Sequence, residues 1–214
     1  MKEYLNKLRK DYSMMALDEK DVHKNPIVQF EKWMVDAANA EVNEPNAMVL
    51  STVDSKNHPH SRIVLLRNVG AHGFSFYTNY NSDKGEDMAK NPAVSLNFFW
   101  VDLERQVRIE GIVEKLTILE SVEYYKSRPI ESQISAWASP QSRVIESREA
   151  LDKLWAEVEL TWKNKVEIEK PSFWGGYIVK PTMIEFWQGR PGRLHDRIRY
   201  RLDQGQWIIE RLAP

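Results

Sequence analysis

The chain has 214 residues, a mass of 25.1 kDa and 42% hydrophobic residues, which suits one domain, or one domain with a modest helical addition, around a real core. With 30 lysines and arginines against 31 acidic residues the formal net charge is −1, so nothing global draws the chain to nucleic acid or anionic membranes, and any cationic site must be local. There is no cysteine, which excludes disulfides, thiolate catalysis and cysteine metal sites; no apolar run approaches the roughly 18 residues of a membrane span, and MKEYLNKLRKDYSMM is too charged for a signal peptide, so a cytoplasmic protein is expected.

Residues 1–24 are polar and weakly patterned, which predicts a mobile arm or a frayed helix ahead of a single domain over 25–214. Asn25 caps a helix with Pro26 at its first position and an apolar stripe of Ile27, Phe30, Trp33, Met34, Ala37 and Ala38. After a break at 43–46 the pattern becomes β. Runs at 47–53, 61–67, 74–78, 93–100 and 105–115 are separated by Asp, Asn, Gly and Pro turns, which predicts a small antiparallel barrel or sandwich. In the second run Ile63, Val64, Leu65 and Leu66 are apolar on both faces, so the strand is covered on both sides, with Arg62 and Arg67 at its ends.

Ser82 is a plausible N-cap for a short helix ending before Pro92, and a helix N-terminus behind Tyr77-Thr78 is either an ordinary capped start or an anion site that includes Lys84. Gln106 reads as a polar strand-edge residue. Thr117 and Glu120 form a capping box for a helix to about Arg128. On it Tyr124 and Arg128 share a face, with Ser132 just beyond the Pro129 break; the trio either faces solvent with no ligand or cradles a phosphate. Gln141-Ser142 lies in a polar loop. A helix over 147–163 carries Leu151, Leu154, Trp155, Val158 and Trp162 as its stripe, Gly175-Gly176 suggests a bulge or close backbone approach, and strands at 177–179, 183–187, 193–202 and 207–211 complete the sheet.

The stretch from Ile184 to Arg197 reads as strand, turn and strand. A period of two over 193–202 puts Arg193, His195, Arg197, Arg199 and Arg201 on one face, a cationic ladder that needs solvent, carboxylate partners or a bound anion. Solvent suits Arg199 and Arg201. Arg193, His195 and Arg197 instead follow a tight turn and the Phe186-Trp187 pair, whose rings could wall a flat ligand.

The run Ile184-Glu185-Phe186-Trp187-Gln188, then four residues, then Arg193-Leu194-His195-Asp196-Arg197, resembles the signature of the pyridoxamine (pyridoxine) 5′-phosphate oxidases, and further matches extend from about Asn25 to the terminal Arg211-Leu212-Ala213-Pro214. The resemblance implies a mainly β protein with helices (α+β), an antiparallel split β-barrel of the FMN-binding type with flanking helices, working as a homodimer with sites built from both subunits. It implies oxidation of pyridoxamine or pyridoxine 5′-phosphate to pyridoxal 5′-phosphate, with dioxygen reduced to hydrogen peroxide and no metal. By the same resemblance Arg62, Tyr77, Thr78 and Lys84 hold the FMN phosphate. Gln106, Gln141, Ser142, Trp187 and Arg197 contact the flavin, and the strand from Ile63 through Val64, Leu65 and Leu66 to Arg67 lines its site. Arg67, Tyr124, Arg128 and Ser132 anchor the substrate phosphate. Arg193 and His195, with Leu194 between them, close over the reacting carbon as the catalytic pair.

Two positions depart from the family pattern: Asp83 stands where the family has a basic residue, and Arg67 where it more often has lysine. They leave room for a non-catalytic pyridoxal-phosphate or flavin carrier on the same fold. An RNA-binding module built on the arginine strand is a third reading.

Overall fold

In the computed structural model residues 4, 7, 11–163 and 165–214 are described. Helix α1 (Pro26–Asn39) starts where the Asn25 side chain accepts from the Ile27 N–H at 2.9 Å with Pro26 in the first turn, and it buries Ile27, Phe30, Trp33 and Ala37. The strands are β1 (Ala47–Val53), β2 (Pro59–Leu65), β3 (Asn68–Gly70), β4 (Gly73–Asn79), β5 (Ala93–Trp100), β6 (Arg105–Lys115), β7 (Trp174–Gln188), β8 (Asp196–Asp203) and β9 (Gln206–Arg211). All pair antiparallel in the order β2-β1-β5-β6-β7-β4-β3, with β8 on β7 and β9 on β8.

This sheet curls around α1. Phe30 meets Phe74 of β4 at 4.9 Å and Phe98 of β5 at 5.0 Å between ring centroids. Those strands are three steps apart in the sheet, about 14 Å if it were flat, so one ring reaches both only because the sheet bends back on itself. The remaining helices are α2 (Asp83–Lys90), α3 (Ile118–Ser127), α4 (Ile130–Ala138) and α5 (Arg148–Trp162). Ser82 caps α2, Ser147 caps α5, and α3 carries the full Thr117–Glu120 capping box, all at the positions expected from the sequence. Among the described residues no helix is long and apolar enough to cross a membrane.

Four sequence expectations are corrected. The second strand runs over Pro59–Leu65, so Leu66 turns into the core and Arg67 lies in the link to β3, where its N–H donates to the Ser75 carbonyl. Nor is that strand covered on both sides, since Ile63 is 64% exposed and Val64 and Leu65 are only partly buried. The stretches 177–179 and 183–187 belong to one 15-residue strand, β7. Pro181 sits at a register shift opposite Gly111, where a Cβ would stand 2.3 Å from the Lys180 carbonyl oxygen, so a bulge absorbs the proline. β7 changes partner there, pairing β4 before it and β8 after it.

The fourth correction concerns the ladder. Pro191–Arg193 is a 3-10 turn with Gly192 and Arg193 both at φ 63°, and β8 begins only at Asp196, so Arg193 and His195 do not continue the alternation of Arg197, Arg199 and Arg201. Those three arginines find carboxylates: Arg197 pairs with Glu185, Arg199 with Glu210, and Arg201 with Asp203.

Of residues 1–24, read above as an arm, 1–3, 5, 6 and 8–10 lie outside the described residues. Residues 11–24 run as a strap over the C-terminal strands. The Ser13 and Met14 N–H groups donate to Glu104 Oε2 at 2.9 and 3.1 Å, Leu17 is buried with its N–H on Asp196 Oδ2 at 3.0 Å, and Arg211 grips the Glu19 carboxylate at 2.6 and 2.7 Å.

Candidate functional site

A cavity of about 600 Å³ opens between β2, β4, the start of α2, and helices α3 and α4. Two pairs of cations line it. Arg62 and Lys84 form the first: each is partly buried, burial pulls both below their usual pKa, and the Arg62 charge lowers Lys84 further. Arg67 and Arg128 form the second, with burial first and the Arg67 charge next pulling Arg128 down. Like charges brought together, with Arg62, Lys84 and Arg128 partly buried, mark a place where a bound anion relieves the cost.

The surroundings of the first pair are those of an anion site. Lys84 lies in the first turn of α2, where free N–H groups collect, and its Nζ donates to Gln141 Oε1 at 3.2 Å. The Thr78 hydroxyl donates to the same oxygen at 3.2 Å, so Gln141 joins β4 to α2 across the cavity wall. Gly85 is required here, since a Cβ would meet the Tyr80 carbonyl oxygen at 2.2 Å.

Around the second pair the walls are aromatic. Tyr77 stacks on Tyr124 with centroids 3.8 Å apart and on Trp174 at 5.5 Å, and burial followed by the Tyr124 phenol pushes the Tyr77 phenol up. Arg128 stands over the Trp174 ring at 4.6 Å, and its Nη1 is buried with no hydrogen-bond partner among the described residues. Trp174, Ser135, Ala136, Ser139 and Asn79 also line the cavity and were not anticipated. The one signal for Trp174 was the neighbouring Gly175-Gly176: a Cβ on Gly175 would meet the Tyr80 hydroxyl at 2.1 Å, so this end of β7 is pressed against its neighbours.

Of the residues singled out from the sequence, Arg62, Ile63, Val64, Leu65, Arg67, Tyr77, Thr78, Lys84, Tyr124, Arg128 and Gln141 meet at this cavity. Leu66, Ser132 and Ser142 are not among its lining residues: Leu66 is in the core, Ser132 is in the first turn of α4, and Ser142 follows Gln141 with φ 67°.

A second group gathers at the far end of the paired strands β6 and β7. Direct cross-strand pairing sets Phe99, Gln106, Trp187 and Arg197 in one row over four strands. Arg197 is locked by two bonds to the buried Glu185, from Nε at 2.7 Å and Nη2 at 3.1 Å, and by a third from Nη1 to the Ala213 carbonyl. The His195 ring lies 4.6 Å from Trp187, and its Nδ1 accepts from the Arg190 N–H at 3.1 Å, which places the ring proton on Nε2 as a hydrogen-bond donor. Tyr12 of the strap covers both rings, edge-on to Trp187 at 5.8 Å and 5.9 Å from His195. Arg193 and Leu194 are exposed.

Asp83 opens α2 and is exposed. Its carboxylate meets Arg143 at 3.3 Å, and that guanidinium also donates to the Asn81 carbonyl at 2.7 Å and to Glu86. Even so, the Asp83 charge reaches the first cation pair, acting to raise both Arg62 and Lys84.

Comparison with known proteins gives one consistent result. Residues 34–162 match the family model described as Pyridoxamine 5′-phosphate oxidase, and residues 174–214 match that of the Pyridoxine 5′-phosphate oxidase C-terminal dimerisation region. A pyridoxine/pyridoxamine 5′-phosphate oxidase of Mannheimia succiniciproducens is 50% identical over 210 residues, 98% of this chain and 99% of that one. Its counterpart from Neisseria gonorrhoeae is 51% identical over 210 residues, with the same coverage. Among solved structures, PhzG from Burkholderia lata 383, in complex with tetrahydrophenazine-1-carboxylic acid, superposes with a TM-score of 0.89 at 28% identity, over 96% of this chain and 100% of that one. A pyridoxamine 5′-phosphate oxidase-related, FMN binding protein from Nostoc punctiforme PCC 73102 shares the fold, with a TM-score of 0.70 at 14% identity over 94% and 100%.

Proposed function

The chain belongs to the pyridoxamine 5′-phosphate oxidase family, and we infer that it oxidises pyridoxamine or pyridoxine 5′-phosphate to pyridoxal 5′-phosphate on that family's split β-barrel. The observation that carries this reading is the cavity with two separate cation pairs, because the reaction needs two phosphates held in one place, one on the cofactor and one on the substrate.

FMN is the cofactor that fits. Arg62, Lys84, Thr78 and the N-terminus of α2 offer the charges and donors for its phosphate, with Tyr77 and Gln141 beside them and the strand from Ile63 to Arg67 as a wall. The chemistry that FMN would supply there is two-electron oxidation of the substrate at C4′ with dioxygen as the final acceptor, giving hydrogen peroxide; with the amine substrate, water enters and ammonia leaves. Arg67, Tyr124 and Arg128 anchor the substrate phosphate, and Arg128 Nη1, buried with no hydrogen-bond partner among the described residues, is the donor that most needs it. Ser132, one turn away on α4, joins them only if the substrate reaches past the cavity wall. Fixing the phosphate fixes the pyridine ring, which turns an encounter into an oriented reaction.

The second group completes the site from another protomer. Gln106 and Trp187 lie nine and ten residues along β6 and β7 from Lys115 and Tyr177, and Tyr177 adjoins Gly176, the cross-strand partner of the cavity residue Tyr77, so about 30 Å of strand separates the two groups. A homodimer in which one protomer contributes the cavity and the other contributes Gln106, Trp187 and Arg197 brings both to one flavin. The half-exposed Phe99 in the same row, and the match of 174–214 to a dimerisation region, support that arrangement. There Arg193 and His195 close over the reacting carbon, His195 Nε2–H donating a hydrogen bond to the substrate and Arg193 countering negative charge. Ser142 remains a flavin contact through the loop that Gln141 anchors.

The purified protein should be yellow, and anaerobic addition of pyridoxine 5′-phosphate should bleach it. A protein that binds flavin and keeps its colour would be a carrier instead, and the oxidase reading would fall.

A further inference from the structure

Behind Arg62 lies a buried chain of polar groups that its role as a phosphate ligand does not by itself require. Pairing of β1 with β2 sets Leu50 opposite Arg62 and Thr52 opposite His60, and helix α2 packs onto β1 so that Asp87 meets Thr52. Thr52 is fully buried and Asp87 nearly so. The Thr52 hydroxyl oxygen stands 2.7 Å from Arg62 Nη1 and 2.7 Å from Asp87 Oδ2. A guanidinium only donates and an ionised carboxylate only accepts, so the hydroxyl must accept from Arg62 and donate to Asp87. Nη1 also donates to the Leu50 and His60 carbonyls, each at 3.2 Å, and Asp87 Oδ2 lies 4.0 Å from Nη2, too far for a hydrogen bond. Among the described residues no hydrogen bond engages Nε or Nη2.

We infer that Thr52 and Asp87 are positioning residues that hold the Arg62 guanidinium by one nitrogen and so present its remaining N–H groups to the cavity as a preset fork for one phosphate. The inference rests on the reading of Arg62 as a ligand of the flavin phosphate. A β-branched Thr in a strand has a restricted χ1, and a buried carboxylate on a helix is fixed by its backbone, so the fork is ordered before the anion arrives and little rotamer entropy is lost on binding.

Charge and positioning predict opposite signs for Asp87. As a negative charge beside Arg62 it opposes an incoming phosphate, so by charge alone Asp87→Asn should tighten binding. As the anchor of the relay, its carboxylate holds the hydroxyl by a charge-assisted bond that an amide oxygen makes more weakly, so in Asp87→Asn the hydroxyl and the guanidinium are less ordered and binding should weaken. Thr52→Val removes the hydroxyl at nearly constant volume with no change of charge, and Thr52→Ser restores it.

The test is titration of flavin-free protein with FMN and with riboflavin, which lacks the phosphate, followed by flavin fluorescence. Wild-type protein should bind FMN far more tightly than riboflavin. Asp87→Asn and Thr52→Val should each lose about 10-fold or more in FMN affinity with riboflavin affinity unchanged, and Thr52→Ser should stay within about threefold of wild type. Tighter FMN binding by Asp87→Asn, full FMN discrimination in both variants, or equal losses for both flavins would each overturn the proposal while leaving the phosphate site intact. Equal wild-type affinity for the two flavins would overturn the site reading and the proposal together.

Discussion

Arg128 stands 4.6 Å over the indole of Trp174 while its Nη1 is buried without a hydrogen-bond partner among the described residues, so the protein holds a cation it has not satisfied. An unpaired buried donor is a cost to the folded state that a bound anion removes.

Replacing Arg128 should therefore separate stability from function. Arg128→Met keeps packing against Trp174 and removes the desolvated charge, so the Tm of the substrate-free protein should be unchanged or higher. The kcat/KM for either phosphorylated substrate should drop by roughly 30-fold to 1,000-fold, the loss of about 2 to 4 kcal/mol expected for one charged contact to a phosphate. A lower Tm with unchanged kinetics would make Arg128 a structural residue.

Arg193 and His195 are assigned to the substrate rather than to the flavin, since Arg193 is exposed on a left-handed turn and His195 presents Nε2 with Nδ1 already occupied by the Arg190 N–H. Arg193→Ala and His195→Ala should each lower kcat/KM by about 30-fold to 1,000-fold while the protein retains its flavin absorption. Wild-type kinetics in both variants would end the assignment.

What the sequence discloses here and what it hides divide along a physical line. Helix starts at Asn25, Ser82, Thr117 and Ser147 are written in residues within three positions of each cap, and the bounds of β5 and β6 follow from local alternation. Pro181 reads locally as a strand end, because the bulge that accommodates it is made by Gly111 on another strand. Arg193 and His195 fit an alternating pattern that a turn with two positive φ values interrupts. The cavity itself joins Arg62, Lys84, Arg128 and Trp174 across more than a hundred residues, and the Thr52–Asp87 bond spans 35; no periodicity encodes such meetings. Locally the helix start at Tyr77–Lys84 and the Tyr124–Ser132 stretch each read two ways, and it was the likeness of the Ile184–Arg197 stretch to a known signature that joined them into one site.

The strap offers a pH test. Hydrogen bonds from Arg211 hold the Glu19 carboxyl at a pKa of about 2, below its usual 4.5, and the Glu19 carboxylate in turn raises Arg211. A depressed carboxyl pKa stabilises the docked strap above the undocked value and loses that contribution as pH falls through the docked one, so the window is about pH 4.5 to 2. The pair is exposed, and screening limits its worth to about 1 kcal/mol or less. The protection factors of the amides of residues 11–24, exchange rates corrected for the intrinsic pH dependence of the peptide group, should fall across that window in wild type and should already be lower, and change less with pH, in Glu19→Gln. Protection that follows pH equally in both proteins would assign the change to other groups.

Asp83 is the departure from the family pattern that bears most directly on the cofactor. Arg143 draws its carboxylate outward at 3.3 Å, yet its charge still reaches Arg62 and Lys84, the two cations assigned to the FMN phosphate. It also favours the start of α2 by roughly 0.3 to 1 kcal/mol as an acid in the first turn. Asp83→Arg exchanges that capping preference for a cation beside the phosphate and drops the Arg143 pair. Because position 83 is exposed, the gain is held to about 1 kcal/mol, so FMN should bind up to about fivefold more tightly at low ionic strength. In high salt the two proteins should converge. Titrating the flavin-free forms with FMN at two ionic strengths separates the cases: equal affinities at low salt would mean that the Asp83–Arg143 pair already neutralises the charge at the phosphate.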